Sequence, residues 1–289
     1  MKKMTIIGLT LVAILVGGYI GAQKYASGLA GEKIDKALVG LAKHAEVEYE
    51  SVNVNLLNQS VRLSNVVVTP AKTKEKVNIK EIIISDIDKD SKVPSFLDIS
   101  CKGVKYAEKR VGKDSGRMKE LGYDENLTFD FATKYHYDKK AKEINIEKLK
   151  MGAQNAGHLD ISLKLGNVDL SPEKMKDALG TYPKFILHNA KIGFNDDSLI
   201  ERLMVLMAKN QKKTVAQIKD EGIQNIEKQI EKEEDEFIKN ALLEIKSFMK
   251  DPKKITISIN PENPMPIGRA FTAGAPKDII KLLNVKIKS

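Results

Sequence analysis

The chain has no tryptophan, and aromatic residues make up only 6% of its 289 positions. Surfaces that stack bases or sugars are built from such rings, so a nucleic-acid or sugar-stacking surface is set aside. The single cysteine, Cys101, leaves no internal disulfide and no cysteine zinc cluster, and reads as a buried strand residue. His44, His136, His158 and His188 are far apart and share no metal-ligand spacing. There is no glycine-rich phosphate loop, no G-x-S-x-G elbow and no H-E-x-x-H. Asp86-x-Asp88-x-Asp90 opens like a calcium loop, but Ser91 and Leu97 stand where Gly and Glu are needed, so it reads as an acidic turn. Asp160, Asp169, Asp196 and Asp197 are carboxylates available for acid–base work, without a spacing that pairs them. Gly268-Arg269 reads as a turn. With no nucleophile, metal site or cofactor fingerprint, the expectation is a protein that is not an enzyme and carries no cofactor.

What is present begins with charge. Lysine and arginine number 48 against 39 acidic residues, a net +9 that suits an anionic partner. The lysines are spread along the chain; the densest run, Lys102 to Lys119, is diluted by acids and reads as a solvated loop or helix face. From Met4 to Gln23 no residue is charged, a length that spans about 30 Å as a helix, the thickness of a hydrocarbon core. Lys2 and Lys3 before it place the N-terminus in the cytoplasm and export the rest. No A-x-A cleavage site follows directly, so residues 1–23 are expected to be a retained signal anchor. Gly17, Gly18, Gly21 and Ala22 give it a small-residue face for helix association.

Residues 24–46 read as an amphipathic stalk on Ile34, Leu38 and Leu41. Over 47–194 the period falls to two, in "SVRLSNVVVTP", whose phase shift at Asn65 suggests a bulge, in "VNIKEIIIS" and in "LTFDFATKYHY". Further strands are expected at Ile144–Met151, Leu159–Leu165 and Phe185–Phe194, forming an antiparallel meander. Residues 195–289 read as helical, with capping boxes at Ser198 and Thr214, a Glu-rich apolar stripe ended by Pro252, and terminal strands at Ile255–Ile259 and Asn284–Ile287 returning to the sheet. The fold class expected is therefore α+β: an N-terminal transmembrane helix, then a curved antiparallel sheet with amphipathic helices packed on or beside it.

The lysine-led anchor, the stalk and "VEYESVNVNLLNQSVRLSNVVVTP" resemble the start of AsmA-like and YdgA-like envelope proteins of Gram-negative bacteria. "FNDDSLIERLMVLMAKNQKKTVAQI" through "LLNVKIK" resembles the end of exported proteobacterial proteins of the same plan. The resemblance implies an inner-membrane helix leading into periplasmic β structure, and for the larger AsmA-like members a hydrophobic β groove for phospholipid. The expectation that follows is a single-pass inner-membrane protein, its bulk periplasmic, whose apolar sheet face holds a phospholipid chain or another envelope protein. Leu127, Phe129, Phe131, Tyr135, Leu159, Ile161, Leu163 and Leu165 are expected to line that face. The alternative is a structural or assembly protein with a closed core, capped by helices over 199–208 and 223–249.

Overall fold

The computed structural model describes residues 45–55, 57–58, 60–71, 74–88, 94–106, 119–123, 127–171 and 182–289. Its described residues fall into two compact units, the first holding 45–106 and 127–134, the second 119–123 and 135–289. Residues 47–194 thus contribute to both units, and 195–289 lie wholly in the second.

The α+β expectation is overturned: among the described residues the chain is mostly antiparallel sheet, with twelve strands and few helices. No helix among the described residues is long and apolar enough to cross a membrane. The anchor expected over 1–23, with Gly17, Gly18, Gly21 and Ala22, lies outside the described residues, as does nearly all of the stalk. The stalk's last two positions, Ala45 and Glu46, open a strand instead. The shift toward β structure has a local cause in "AEVE", "SVNVN" and "FLDISCKGVKY", three segments that all pair as strands. In each, backbone pairing with a neighbouring strand supplies what a short or interrupted apolar pattern does not announce.

In the first unit, β1 (Ala45–Glu48) and β2 (Ser51–Asn55) both pair with β3 (Ser60–Pro70), each with a different half of it. β3 pairs with β4 (Val77–Ile87), β4 with β5 (Phe96–Tyr106), and β5 is followed by the first residues of β6 (Phe129–Asp138). Apolar residues meet in rows across three strands: Val61, Ile84 and Ile99; Leu63, Ile82 and Cys101; Val66, Ile79 and Val104. All of these are buried, and Ile79, Ile82, Ile84, Val61, Val66 and Val104 are among the largest fully buried side chains.

The expected bulge at Asn65 is resolved differently. Ser64 pairs with Glu81 and Val66 with Ile79, so the register against β4 is unchanged across it. Asn65 instead adopts a left-handed φ of 49°, which asparagine tolerates, and the apolar phase steps from Leu63 to Val66. β4 makes the same step from Ile79 to Ile82, and β5 makes it at Gly103, φ 63°. A Cβ on Gly103 would lie 2.8 Å from the Cβ of Lys80, so the crossing of this kink requires glycine. The Gly103 N–H is held by Asp130 Oδ1 at 2.7 Å.

Cys101 is buried in this core, which pushes its thiol up from 9.0 to about 12. We expect it to resist iodoacetamide at neutral pH and to be alkylated only when the chain is unfolded in urea, read by mass. A thiol that titrates higher folded than unfolded adds stability that is whole below 9.0 and is lost as pH rises toward about 12.

In the second unit, the rest of β6 is followed by β7 (Glu143–Ala153), β8 (Gly157–Gly166), β9 (Ile186–Asp196), β10 (Lys254–Ile259) and, at the edge, β12 (Val285–Lys288). The two-residue β11 (Met265–Pro266) pairs with the start of β9. On β12, Val285 and Ile287 turn inward while Lys286 and Lys288 are exposed.

Between β9 and β10 run helices α1 (Leu199–Gln211), α2 (Val215–Lys232) and α3 (Glu236–Lys250). α1 packs on α2, α2 on α3, and α3 on β10 and β12. The Thr214 capping box is present in full, with Gln217 N–H donating to Thr214 Oγ1 at 3.2 Å and Thr214 N–H to Gln217 Oε1 at 2.8 Å. The box expected at Ser198 does not form. Its hydroxyl donates to the Asn155 carbonyl at 2.5 Å, and Asp196 Oδ1 takes the Ile200 N–H at 3.0 Å instead. The Glu-rich stripe is two helices rather than one, broken before Asp235, whose carboxylate accepts the Phe237 N–H at 3.0 Å and is joined by Lys281. Two short helices, α4 (Ile267–Phe271) and α5 (Pro276–Leu282), precede β12.

Candidate functional site

Alternation along five neighbouring strands gathers apolar side chains onto one face of the second unit. Register makes the rows explicit: Met151, Leu159, Phe194 and Ile255; Leu149, Ile161, Ile192, Ile257 and Ile287; Ile146, Leu163, Ala190, Ile259 and Val285. A fourth, shorter row joins Ile144, Leu165 and Leu187.

The burial of this face differs from that of the first unit. Leu187 is buried, Met151 is exposed, and every other member of the rows is half-buried. The first unit's corresponding rows are 0 to 5% exposed. The helices explain part of the cover. α3 lies on the last two strands, and the Phe248 ring meets Phe194 edge-on at 6.5 Å. α2 and α3 approach closely at Gly222, where a Cβ would sit 2.4 Å from Met249 Cε.

Leu159, Ile161, Leu163 and Leu165 are brought together on one face of β8, all half-buried. Tyr135 lies on β6 within the second unit and is also half-buried. Leu127, Phe129 and Phe131 belong to the first unit, where the Phe129 and Phe131 rings stack at 6.5 Å. Tyr137, on the same alternation, is buried, and its hydroxyl donates to the Val168 carbonyl at 3.0 Å. The sequence reading omitted the members of this face on β7, β9, β10 and β12. The same period-two signal was present in those strands, but only register shows that the rows meet.

The opposite face is polar and internally paired. His158 lies 3.3 Å from Asp160, which also accepts from Asn195 at 3.1 Å. Lys164 reaches Glu143 at 2.8 Å and holds its carboxyl below the usual range, with His188 3.6 Å away. Burial raises the Asp196 carboxyl, against the N–H groups of Ile200 and Leu199 that favour its charge. Asp169 closes a turn by accepting the Ser171 N–H, and Asp197 is exposed. Asp88 accepts the Ser95 N–H at 2.8 Å, while Asp90 lies outside the described residues. Gly268 sits in α4 against Pro183, where a Cβ would be 2.9 Å from the Pro183 carbonyl oxygen. No group of histidine, cysteine or acidic residues with metal-binding geometry occurs among the described residues.

A family model described as "Uncharacterized protein" matches residues 150–289, all within the second unit. The chain is also similar to a protein of Aquifex aeolicus (strain VF5) described as "Uncharacterized protein". The two are 27% identical over 297 residues, covering 97% of each chain.

Proposed function

We propose that the second unit's apolar sheet face holds an acyl chain, and that the protein works in the cell envelope, tethered to the inner membrane by its uncharged segment Met4–Gln23. The observation that carries this reading is that nearly all members of the four apolar rows are half-buried, whereas the corresponding rows of the first unit are closed. A contiguous apolar surface left facing water marks a binding surface for a lipid or a protein. A flexible chain suits it, since aliphatic side chains of Leu and Ile give a smooth surface with no polar group to satisfy, and each buried methylene contributes about 0.8 kcal/mol. The tether supplies the source: acyl chains are within reach of a protein held at a bilayer. Likeness to AsmA-like and YdgA-like envelope proteins belongs to the same proposal. In this reading the chain is a binding protein without a catalytic group.

The test places a photo-crosslinking residue at Leu163 in the full chain, expressed and irradiated in bacterial membranes, with the same residue at Lys191 as the polar-face comparison. We expect a phospholipid adduct by mass at position 163 and none at 191. Adducts at 163 only to another polypeptide would replace the lipid reading with a protein-contact one. Adducts only to the chain's own residues would mean a closed core.

A further inference from the structure

Helix α1 leaves part of its apolar strip open to solvent. Its one buried residue is Ala208. A second side is fixed by Arg202, which donates to the carbonyls of Leu121 at 3.0 Å and Gly122 at 2.6 Å. The same guanidinium lies 4.3 Å over the buried Tyr123 ring. At 3.6 residues per turn, Leu199, Leu203, Leu206 and Met207 form one strip turned away from Ala208. Amphipathic helices normally bury such a strip; here Leu199 and Leu206 are half-buried, while Leu203 is 37% and Met207 47% exposed. The helix ends at Lys212, which is left-handed at φ 54°, and Lys209, Lys212 and Lys213 are all exposed there. Lys213 pairs with Glu221 at 2.7 Å. From Leu199 to Lys213 there are four cationic residues and one acid, Glu201, which sits on the Ala208 side.

We propose that α1 is a peripheral membrane contact: its Leu/Met strip enters the interface of an anionic bilayer, and the lysines at its end meet the headgroups. An apolar strip partly open to solvent, flanked by Lys209 and followed at the helix end by Lys212 and Lys213, is of the kind interfacial helices present. The strip offers no Trp, Tyr or Arg of the kind that anchors protein interfaces in fitted pockets, and Leu and Met make no directional demand, which suits a fluid apolar boundary. The net +9 of the chain acts in the same direction. This rests on the membrane setting proposed above but not on what the sheet face holds.

The test uses the full chain with Met207→Cys labelled by an environment-sensitive dye, Cys101 being buried and left in place. The protein is reconstituted into vesicles of phosphatidylcholine alone and of phosphatidylcholine with phosphatidylglycerol, and sedimentation is scored alongside the spectrum. We expect a blue shift in the phosphatidylglycerol vesicles only, reversed by salt, reduced by Lys209→Glu with Lys212→Glu, and absent for the same dye at Gln224. No difference between the vesicles, with the chain sedimenting in both, overturns the contact and leaves the tether standing. An equal blue shift in both, insensitive to the lysine changes, means that protein covers the strip and also overturns it. A chain that sediments with neither vesicle overturns the contact and the tether together, whereas the crosslink at Leu163 reads the sheet face independently.

Discussion

Replacing Ile84 with alanine is expected to lower the stability of the first unit by about 2–5 kcal/mol, the cost of emptying a sealed core position. Ile84 is 0% exposed and is flanked in its row by Val61 and Ile99, also buried. Ile161→Ala removes the same atoms from a half-buried position in the second unit, where water already touches the side chain and little cavity is left. Its cost is expected at about 1–2 kcal/mol. Urea unfolding followed by circular dichroism gives both values, and alkylation of Cys101, which faces Ile82 across the strands, reports on the first unit alone. Equal costs at the two positions would erase the contrast on which the lipid-holding reading stands.

Gly157→Ala is expected to destabilise the second unit by about 3 kcal/mol through strain and contact together. Its φ is 146°, and an added Cβ would lie 2.6 Å from the Asn195 carbonyl oxygen. Retreat is blocked because Gly157 is a rung opposite Asp196 at the end of β9. The neighbouring Ala156 carbonyl accepts the N–H groups of Asp197, Ser198 and Leu199 at 3.2, 3.2 and 3.1 Å, so a displaced turn also loosens the start of α1. Gly193→Ala is the matched comparison: its nearest neighbours are 3.9 Å from the added carbon and its φ is not left-handed. There the expected change is neutral or stabilising by up to about 1 kcal/mol. Thermal unfolding of the pair decides the matter, and a Gly157 variant as stable as the Gly193 variant would refute the close approach.

Strict alternation made β8 legible, because Leu159 to Leu165 repeat without interruption. β5 was not, since Gly103 shifts its phase and Lys102 and Lys105 fill its other face, which reads as a solvated run. The missing bond at Ser198 depends on Asn155, 43 residues earlier, a distance at which a local motif carries no information. Between α2 and α3 the apolar spacing continues in step, so periodicity alone joins them; Asp235 as a cap was the signal available. The candidate face was readable strand by strand, but not its state of cover. Alternation says which side is apolar, whereas cover depends on where α3 settles on the last two strands.

The lysines of the last strand bear on a different hazard. A sheet that keeps apolar rows within reach of solvent is a template for stacking and for adding strands, above all when many copies are crowded in one plane. At this edge of the described sheet Lys286 and Lys288 put a charge at every second position of the strand that an incoming chain would have to pair with. Growth by one more strand would set like charges side by side, which disfavours polymerisation through this edge.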